Sequence, residues 1–252
     1  MVPLRVIARL DIKGPNVVKG MRMEGLRIIG TPGDLARGYY REGCDEIIFL
    51  DTVASLYGRD NIMSVVAQAA KDVFVPMTAG GGVRSLDDVK CLLRSGADKV
   101  AINTAAIECP KFLSEAANAF GSQCVVLSVH GKRRSDGTWE AYTNNGRERS
   151  GRDVLDWVAQ AETLGAGEVL ISSVDHDGVK RGFDADLIAA VRSRVRIPVI
   201  AASGAGTAEH VTAMLGASKV EAVACASLFH YHLCSIPALK AVLAQAGHEV
   251  RS

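Results

Sequence analysis

The chain has 252 residues, 48% of them hydrophobic and 23% charged, with a formal net charge of +1. A core of ordinary size is attainable and disorder is not indicated; the near-neutral balance gives no general electrostatic reason to bind nucleic acid or a membrane surface. No apolar run reaches the length of a bilayer and no signal peptide is visible, so a cytoplasmic protein is expected.

In chain order, short apolar runs rich in β-formers alternate with amphipathic stretches. The runs are LRVIARLD (4–11), DEIIFLD (45–51), VFVPMTA (73–79), KVAIN (99–103), CVVLSV (124–129), EVLISS (168–173), IPVIAA (197–202) and EAVACA (221–226). Between them lie helical patterns such as DLARGYYREG, NIMSVVAQAAKD, SLDDVKCLLRSG, PKFLSEAANAFG, GRDVLDWVAQAETLG and AEHVTAMLG. Ser85 and Thr207 stand where helix N-caps are needed, and Gly43, Gly96, Gly121 and Gly165 where helices end. Eight strand–helix units in this length fit a (β/α)8 barrel better than a doubly wound sheet. No Gly/Pro/Ser-rich linker divides the chain, so one domain over residues 1–252 is expected.

An internal repeat supports the barrel. VPMTAGGGVRSLDDVKCLL (75–93) aligns with IPVIAASGAGTAEHVTAML (197–215) at an offset of 122, and Glu46 falls on Glu168 at the same offset. Thr104 falls on Ser227 with one residue of slippage. Two (β/α)4 half-barrels produce such a pattern.

Barrel strands present their C-terminal ends at one face, where such folds place their sites. GGG (80–82), INT (102–104), DHDG (175–178) and SGAG (203–206) all fall there. Gly82 and Gly204 each precede a helix start, where bare backbone N–H groups can surround a phosphate; plain turn chemistry would also place glycine there. Two matched loops with nearby hydroxyls favour a ligand with a phosphate at each end. Asp11, Asp51, Asp175 and Asp177 lie at the same face, as loop caps or as acid/base groups. At the opposite face, strand parity points Arg5, Glu46, Lys99 and Glu168 inward, as a salt-bridged plug or as a gate for a small molecule.

The six cysteines show no CxxC pair and no zinc spacing, and several sit in apolar runs as reduced thiols. His176, His230 and His232 lack a third ligand at recognisable spacing, so no metal site is expected. Trp157 reads as core, and Lys132-Arg133-Arg134 as a solvated loop.

RVIARLDIKGPNVVKG, FLDTVASLYGRD, TAGGGVRS, GADKVAINTAA, FGSQCVV, GAGEVLISSVDHDG and ASLFH, in that order, resemble the cyclase subunit (HisF family) of imidazole glycerol phosphate synthase from about residue 4 to 231. The resemblance implies a two-phosphate-site barrel with no cofactor. It implies a partner, a class I glutamine amidotransferase (HisH-like) docked on the N-terminal face, whose ammonia passes through the barrel to a ribulosyl aminoimidazole carboxamide nucleotide. The implied products are imidazole glycerol phosphate and an aminoimidazole carboxamide ribotide, a step of histidine biosynthesis. By the same resemblance Asp11 is a catalytic acid/base, and Lys19 a catalytic residue on a mobile first loop. Gly82, Asn103 and Thr104 form one phosphate site and Gly178, Gly204 and Ser227 the other, with Asp51 and Asp177 also on the substrate. Arg5, Glu46, Lys99 and Glu168 form the ammonia gate.

The family pattern breaks in several places. Strand 5 ends in VHGKR where the family carries an Asp in an IDAKR-like string, and the repeat sets His130 opposite Asp11. Asp and His can divide acid/base work as two carboxylates do, but the swap exchanges an anion for a ring of different shape and charge. Arg9 stands where the family usually has Cys, facing inward, and needs Asp11 or Asp51 as partner to offset a desolvation cost of about several kcal/mol. Val179 and Ala202-Ser203 are smaller departures. Three readings stay open: the cyclase, with Asp11 and His130 as its acid/base pair; a divergent paralog using ammonia on another phosphorylated or nucleotide-sugar substrate; and a catalytically impaired binding protein.

Overall fold

A barrel strand meets helices on its outer face and other strands' side chains on its inner face, so it reads as apolar throughout. The eight runs are of this kind. In the computed structural model of the chain, which describes residues 3–54 and 62–251, they form one closed parallel ring. The barrel strands are β1 (Arg5–Lys13), β4 (Glu46–Asp51), β5 (Met77–Gly80), β6 (Lys99–Ile102), β7 (Val125–Arg133), β10 (Glu168–Ser173), β11 (Val199–Ala202) and β12 (Ala222–Cys225). Pairing of β6 with β7 and of β12 with β1 joins the two halves, and pairing of β7 with β10 completes the ring. The outer layer includes α1 (Pro32–Arg41), α2 (Ile62–Ala69), α3 (Leu86–Arg94), α4 (Thr104–Glu108), α5 (Lys111–Phe120), α6 (Val154–Thr163), α7 (Ala185–Arg194), α8 (Ala208–Ala217), α9 (Ser227–His230) and α10 (Ile236–Gln245). The fold is a (β/α)8 barrel. Residues 55–61, which include the end of the FLDTVASLYGRD motif, lie outside the described residues. No helix among the described residues is long and apolar enough to cross a membrane.

The two halves repeat in space as in sequence. β4 and β10 begin at Glu46 and Glu168, and β5 and β11 at Met77 and Val199, 122 residues apart in both cases. Ser85 and Thr207 cap equivalent helices, each accepting from the backbone N–H three residues on. Strand parity separates two cores. Val6, Ala8, Leu10 and Ile12 join the layer between barrel and helices, whereas Ile7 packs inside the barrel with Ile48, Val126, Leu170 and Ile200. Trp157 is buried in the outer layer, as its helical position requires. All six cysteines are free; Cys44 and Cys225 are buried, but Cys91 and Cys109 are exposed.

Three expectations need correction. The first loop is not a loop: β1 runs on past the barrel and pairs antiparallel with β2 (Asn16–Met21), which pairs with β3 (Glu24–Gly30). The second half does the same, with β7 continuing into β8 (Trp139–Thr143) and β9 (Glu148–Asp153). Lys132 and Arg133 therefore belong to β7, Arg133 lies over the Trp139 ring, and the expected helix from Gly151 starts only at Val154. Asp136-Gly137 and Asn145-Gly146 mark the two turns of the second extension, a recognised hairpin signal. The turns of the two extensions meet, because a Cβ on Gly146 would lie 2.5 Å from the Met23 sulfur.

Candidate functional site

The inward-facing residues of β1 show how the barrel is layered. Arg5 lies at the bottom, Ile7 in the apolar interior, Arg9 above it and Asp11 at the top, since alternate residues of a strand share a face. At the bottom, Arg5 bonds Glu46 at 2.7 Å and also bonds Glu168. Lys99 bonds the same two carboxylates, Glu46 at 3.1 Å and Glu168 at 2.8 Å. The predicted quartet is thus a closed ring in which each charge meets two of opposite sign. Burial lowers the Arg5 pKa, but the two glutamates outweigh it and the guanidinium is held above its ordinary value.

At the top, Asp11 and His130 sit at equivalent points, where β1 and β7 leave the barrel and begin their antiparallel extensions. Asp11 accepts from Arg9 Nε at 2.9 Å through one oxygen and from Lys19 Nζ at 2.8 Å through the other. Lys19 also donates to Asp177, at 2.8 and 3.0 Å. Ser203, a departure from the family pattern, donates to Asp177 at 3.0 Å. Burial alone would push the Asp11 carboxyl up, but the Arg9 and Lys19 charges win and hold it well below the usual carboxylate range. Arg9 and Lys19 are held above theirs, because Asp11 and Asp177 outweigh the effect of burial.

Arg9 is buried and bridges β1 to β10 by donating to Ser172 Oγ at 2.8 Å. Of its two expected partners it takes Asp11. Asp51 Oδ1 is occupied by the backbone N–H groups of Val53 and Ala54, at 2.9 and 2.8 Å. Asp175 likewise serves the backbone, accepting from Arg133 N at 3.0 Å. The four top-face aspartates therefore divide into two loop caps and two members of an ion-pair chain.

His130 has a different environment. Asn103 Nδ2 lies 3.1 Å from its Nδ1 and donates to the Tyr142 carbonyl at 3.2 Å. Burial, then the Arg9 charge, lower the ring's pKa to about 4. Its amide being so engaged, Asn103 is a partner of His130 as well as a member of the predicted phosphate loop. The Thr104 hydroxyl accepts from Asn144 N at 3.1 Å.

Two cavities occupy this face. The larger, about 480 Å³, runs from Gly82, Asn103 and Thr104 to Asp51 and His130. Arg84, Ser128, Asn144 and Asn145 also line it and were missed by sequence reasoning; the asparagines belong to the unread second hairpin. The other, about 20 Å³, lies among Lys19, Asp177, Gly178, Gly204 and Ser227. It is small because the first hairpin rests on it: Arg22 N donates to Asp177 O at 2.7 Å, and a Cβ on Gly178 would lie 2.0 Å from the Gly20 carbonyl oxygen. Gly204 has a packing reason as well, since a Cβ there would lie 2.1 Å from Gly182 O.

Of the other histidines raised by the sequence, His230 and His176 are engaged locally, whereas His232 is exposed. His230 Nδ1 lies 2.6 Å from the Tyr39 hydroxyl, and His176 Nδ1 donates to Gly182 O at 2.8 Å.

Residues 5–235 match a family described as histidine biosynthesis protein. The chain is 55% identical to imidazole glycerol phosphate synthase subunit HisF of Legionella pneumophila over 83% of this chain and 99% of that protein. It is 45% identical to the subunit of the same name from Streptococcus sanguinis, with both chains covered in full. A Mycobacteroides abscessus protein of that name is 48% identical over 99% of each chain.

Proposed function

The chain belongs to the histidine biosynthesis protein family and is an enzyme of the imidazole glycerol phosphate synthase cyclase type, and we propose how its residues divide that work. Ammonia and a ribulosyl aminoimidazole carboxamide nucleotide give imidazole glycerol phosphate and an aminoimidazole carboxamide ribotide. The substrate spans the top face. One phosphate lies by Gly82, Asn103 and Thr104, the other by Gly178, Gly204 and Ser227, and Asp51 and Asp177 stand along its length.

The single observation that carries this reading is the symmetric placement of Asp11 and His130. Each ends a strand at the same point of its half-barrel, and His130 borders the larger cavity. A bis-phosphate substrate held at both ends brings its middle, where the bonds change, between these two groups. Asp11 moves the protons, with Lys19 completing its charge environment, and His130 contacts the substrate from the other half. Since the second cavity holds only about 20 Å³, a phosphate enters it when the first hairpin lifts and carries Lys19 away from Asp177.

The relatives are named as subunits, which supports a partner. That partner is a glutaminase seated on the N-terminal face, delivering ammonia through the Arg5–Glu46–Lys99–Glu168 ring. The soluble substrates fit a cytoplasmic setting.

The test is an ammonia-driven assay of the purified chain on the ribulosyl nucleotide at alkaline pH. Both products are expected. Tight binding of the nucleotide without turnover would refute the cyclase assignment. Such a result would point to the paralog reading, which the Arg9 bond on Asp11 and the missing second carboxylate favour.

A further inference from the structure

The contacts of Asn103 determine which nitrogen of His130 carries a hydrogen. A backbone carbonyl can only accept, so the amide end facing Tyr142 O must be the NH2 group. Turning the amide over would set Oδ1 against that carbonyl, two acceptors with no hydrogen between them. The observed orientation is kept although it leaves Asn103 Oδ1 buried without a partner among the described residues. The NH2 group has two hydrogens; one goes to Tyr142 O and the other points to His130 Nδ1, 3.1 Å away. Nδ1 is therefore an acceptor.

The charged groups facing the ring are Arg9 and Asp11 from β1, Lys19 from β2 and Asp177 from the segment after β10. Burial and the two cations outweigh the two carboxylates, so the ring is uncharged at neutral pH and has one hydrogen to place. With Nδ1 accepting, that hydrogen sits on Nε2. No protein group among the described residues bonds Nε2, and the ring borders the larger cavity.

We propose that His130 meets the substrate as a neutral hydrogen-bond donor through Nε2–H, and that Asn103 is the positioning residue that holds it in that tautomer. The role at the substrate rests on the cyclase reading; the tautomer itself does not. A neutral imidazole with Nδ1 occupied has no free lone pair to take a proton, and giving up Nε2–H would leave an imidazolate. His130 therefore polarises an acceptor, such as the ketone oxygen of a ribulosyl chain, and proton transfer falls to Asp11 alone. Asp11 presents an acceptor at its strand end; His130 presents a donor at its own. The two strand ends are equivalent in position but opposite in function.

The test is a long-range proton–nitrogen correlation spectrum of the 15N-histidine-labelled chain, with His130 assigned by its loss in His130→Gln. Wild type at neutral pH is expected to show a pyridine-like Nδ1 and a pyrrole-like Nε2, with no imidazolium forming through the ordinary histidine range. In Asn103→Asp a carboxylate faces Nδ1, so the hydrogen moves to Nδ1 or the ring becomes cationic. On the ribulosyl nucleotide, kcat of wild type stays flat near pH ~6.5, where a free imidazole titrates, and in Asn103→Asp it falls roughly 100-fold and gains an inflection. A wild-type ring protonated on Nδ1 overturns the proposal, and that reading asks of the variants only that His130→Gln fold for the assignment. So does an Asn103→Asp ring that keeps the Nε2–H signature. A wild-type chain with the expected tautomer and no turnover would sink the cyclase reading and leave the tautomer assignment standing.

Discussion

The bottom and the top of the barrel each hold two cations and two carboxylates, nearly all buried, yet the two groups are built differently. All four members of the lower ring stand on barrel strands, and each cation bonds both carboxylates, so the ring opens only if the barrel does. The upper group is a chain, Arg9–Asp11–Lys19–Asp177. Its Lys19 comes from the first hairpin and its Asp177 from the segment after β10. A lift of that hairpin would part Lys19 from Asp177 while leaving the Arg9–Asp11 pair, both on β1, in place. Equal charge counts thus give a fixed structure at one end and a conditional one at the other, according to whether the side chains share a rigid element.

The largest expected effect is on the upper chain. Asp11→Asn removes the proton-transferring oxygen and leaves Arg9 and Lys19 without their shared anion; ammonia-driven kcat should drop by roughly 100- to 10,000-fold. A loss of under tenfold would show that the ion-pair chain is not the reacting centre. Breaking the lower ring comes next. Glu168→Leu leaves two cations sharing Glu46 alone in a largely buried setting and should cost about 3–5 kcal/mol in denaturant unfolding. A cost below about 1 kcal/mol would mean the ring's cations are satisfied by water instead.

Acid should separate the two regions by a third, smaller effect. The pKa values of His130 and His230 are both lowered to about 4 by burial, so the fold disfavours their protonated forms. The unfolded chain binds those protons first. Stability is therefore intact above pH ~6.5 and falls as pH drops toward ~4, by roughly 3 kcal/mol for each ring. His130→Gln and His230→Gln should each flatten that slope, read from denaturation midpoints across the range. Asp11, with its pKa depressed, contributes in the same direction at lower pH: its stabilisation is present above its unfolded value and is lost as pH falls through the folded one. The smallest effect is Ser203→Ala, which removes one hydrogen bond to Asp177 and should cost about 1 kcal/mol, seen as a raised KM for the nucleotide with kcat little changed.

How much of this was legible depended on the range of the interaction. The strands, the half-barrel repeat and the inward row Arg5, Ile7, Arg9, Asp11 follow from period-2 alternation, which is local. The hairpins were not read, although Asp136-Gly137 and Asn145-Gly146 flank the alternating TWEAYT; the apolar runs nearby were the stronger signal. The choice of Asp11 over Asp51 by Arg9 had no sequence marker. Asp51 instead accepts from the backbone of Val53 and Ala54.

The sequence by itself determined the barrel, its two-fold plan, the charged quartet at its base and the pairing of Asp11 with His130 across the halves. These follow from residue order along strands that alternate faces at every step. Only the tertiary structure decided that Lys19 joins Asp11 to Asp177, that Arg9 crosses to Ser172 and that Asn103 holds the His130 ring. Those partners lie on different elements, and a buried polar group takes whichever complementary atom the packed chain brings within bonding distance.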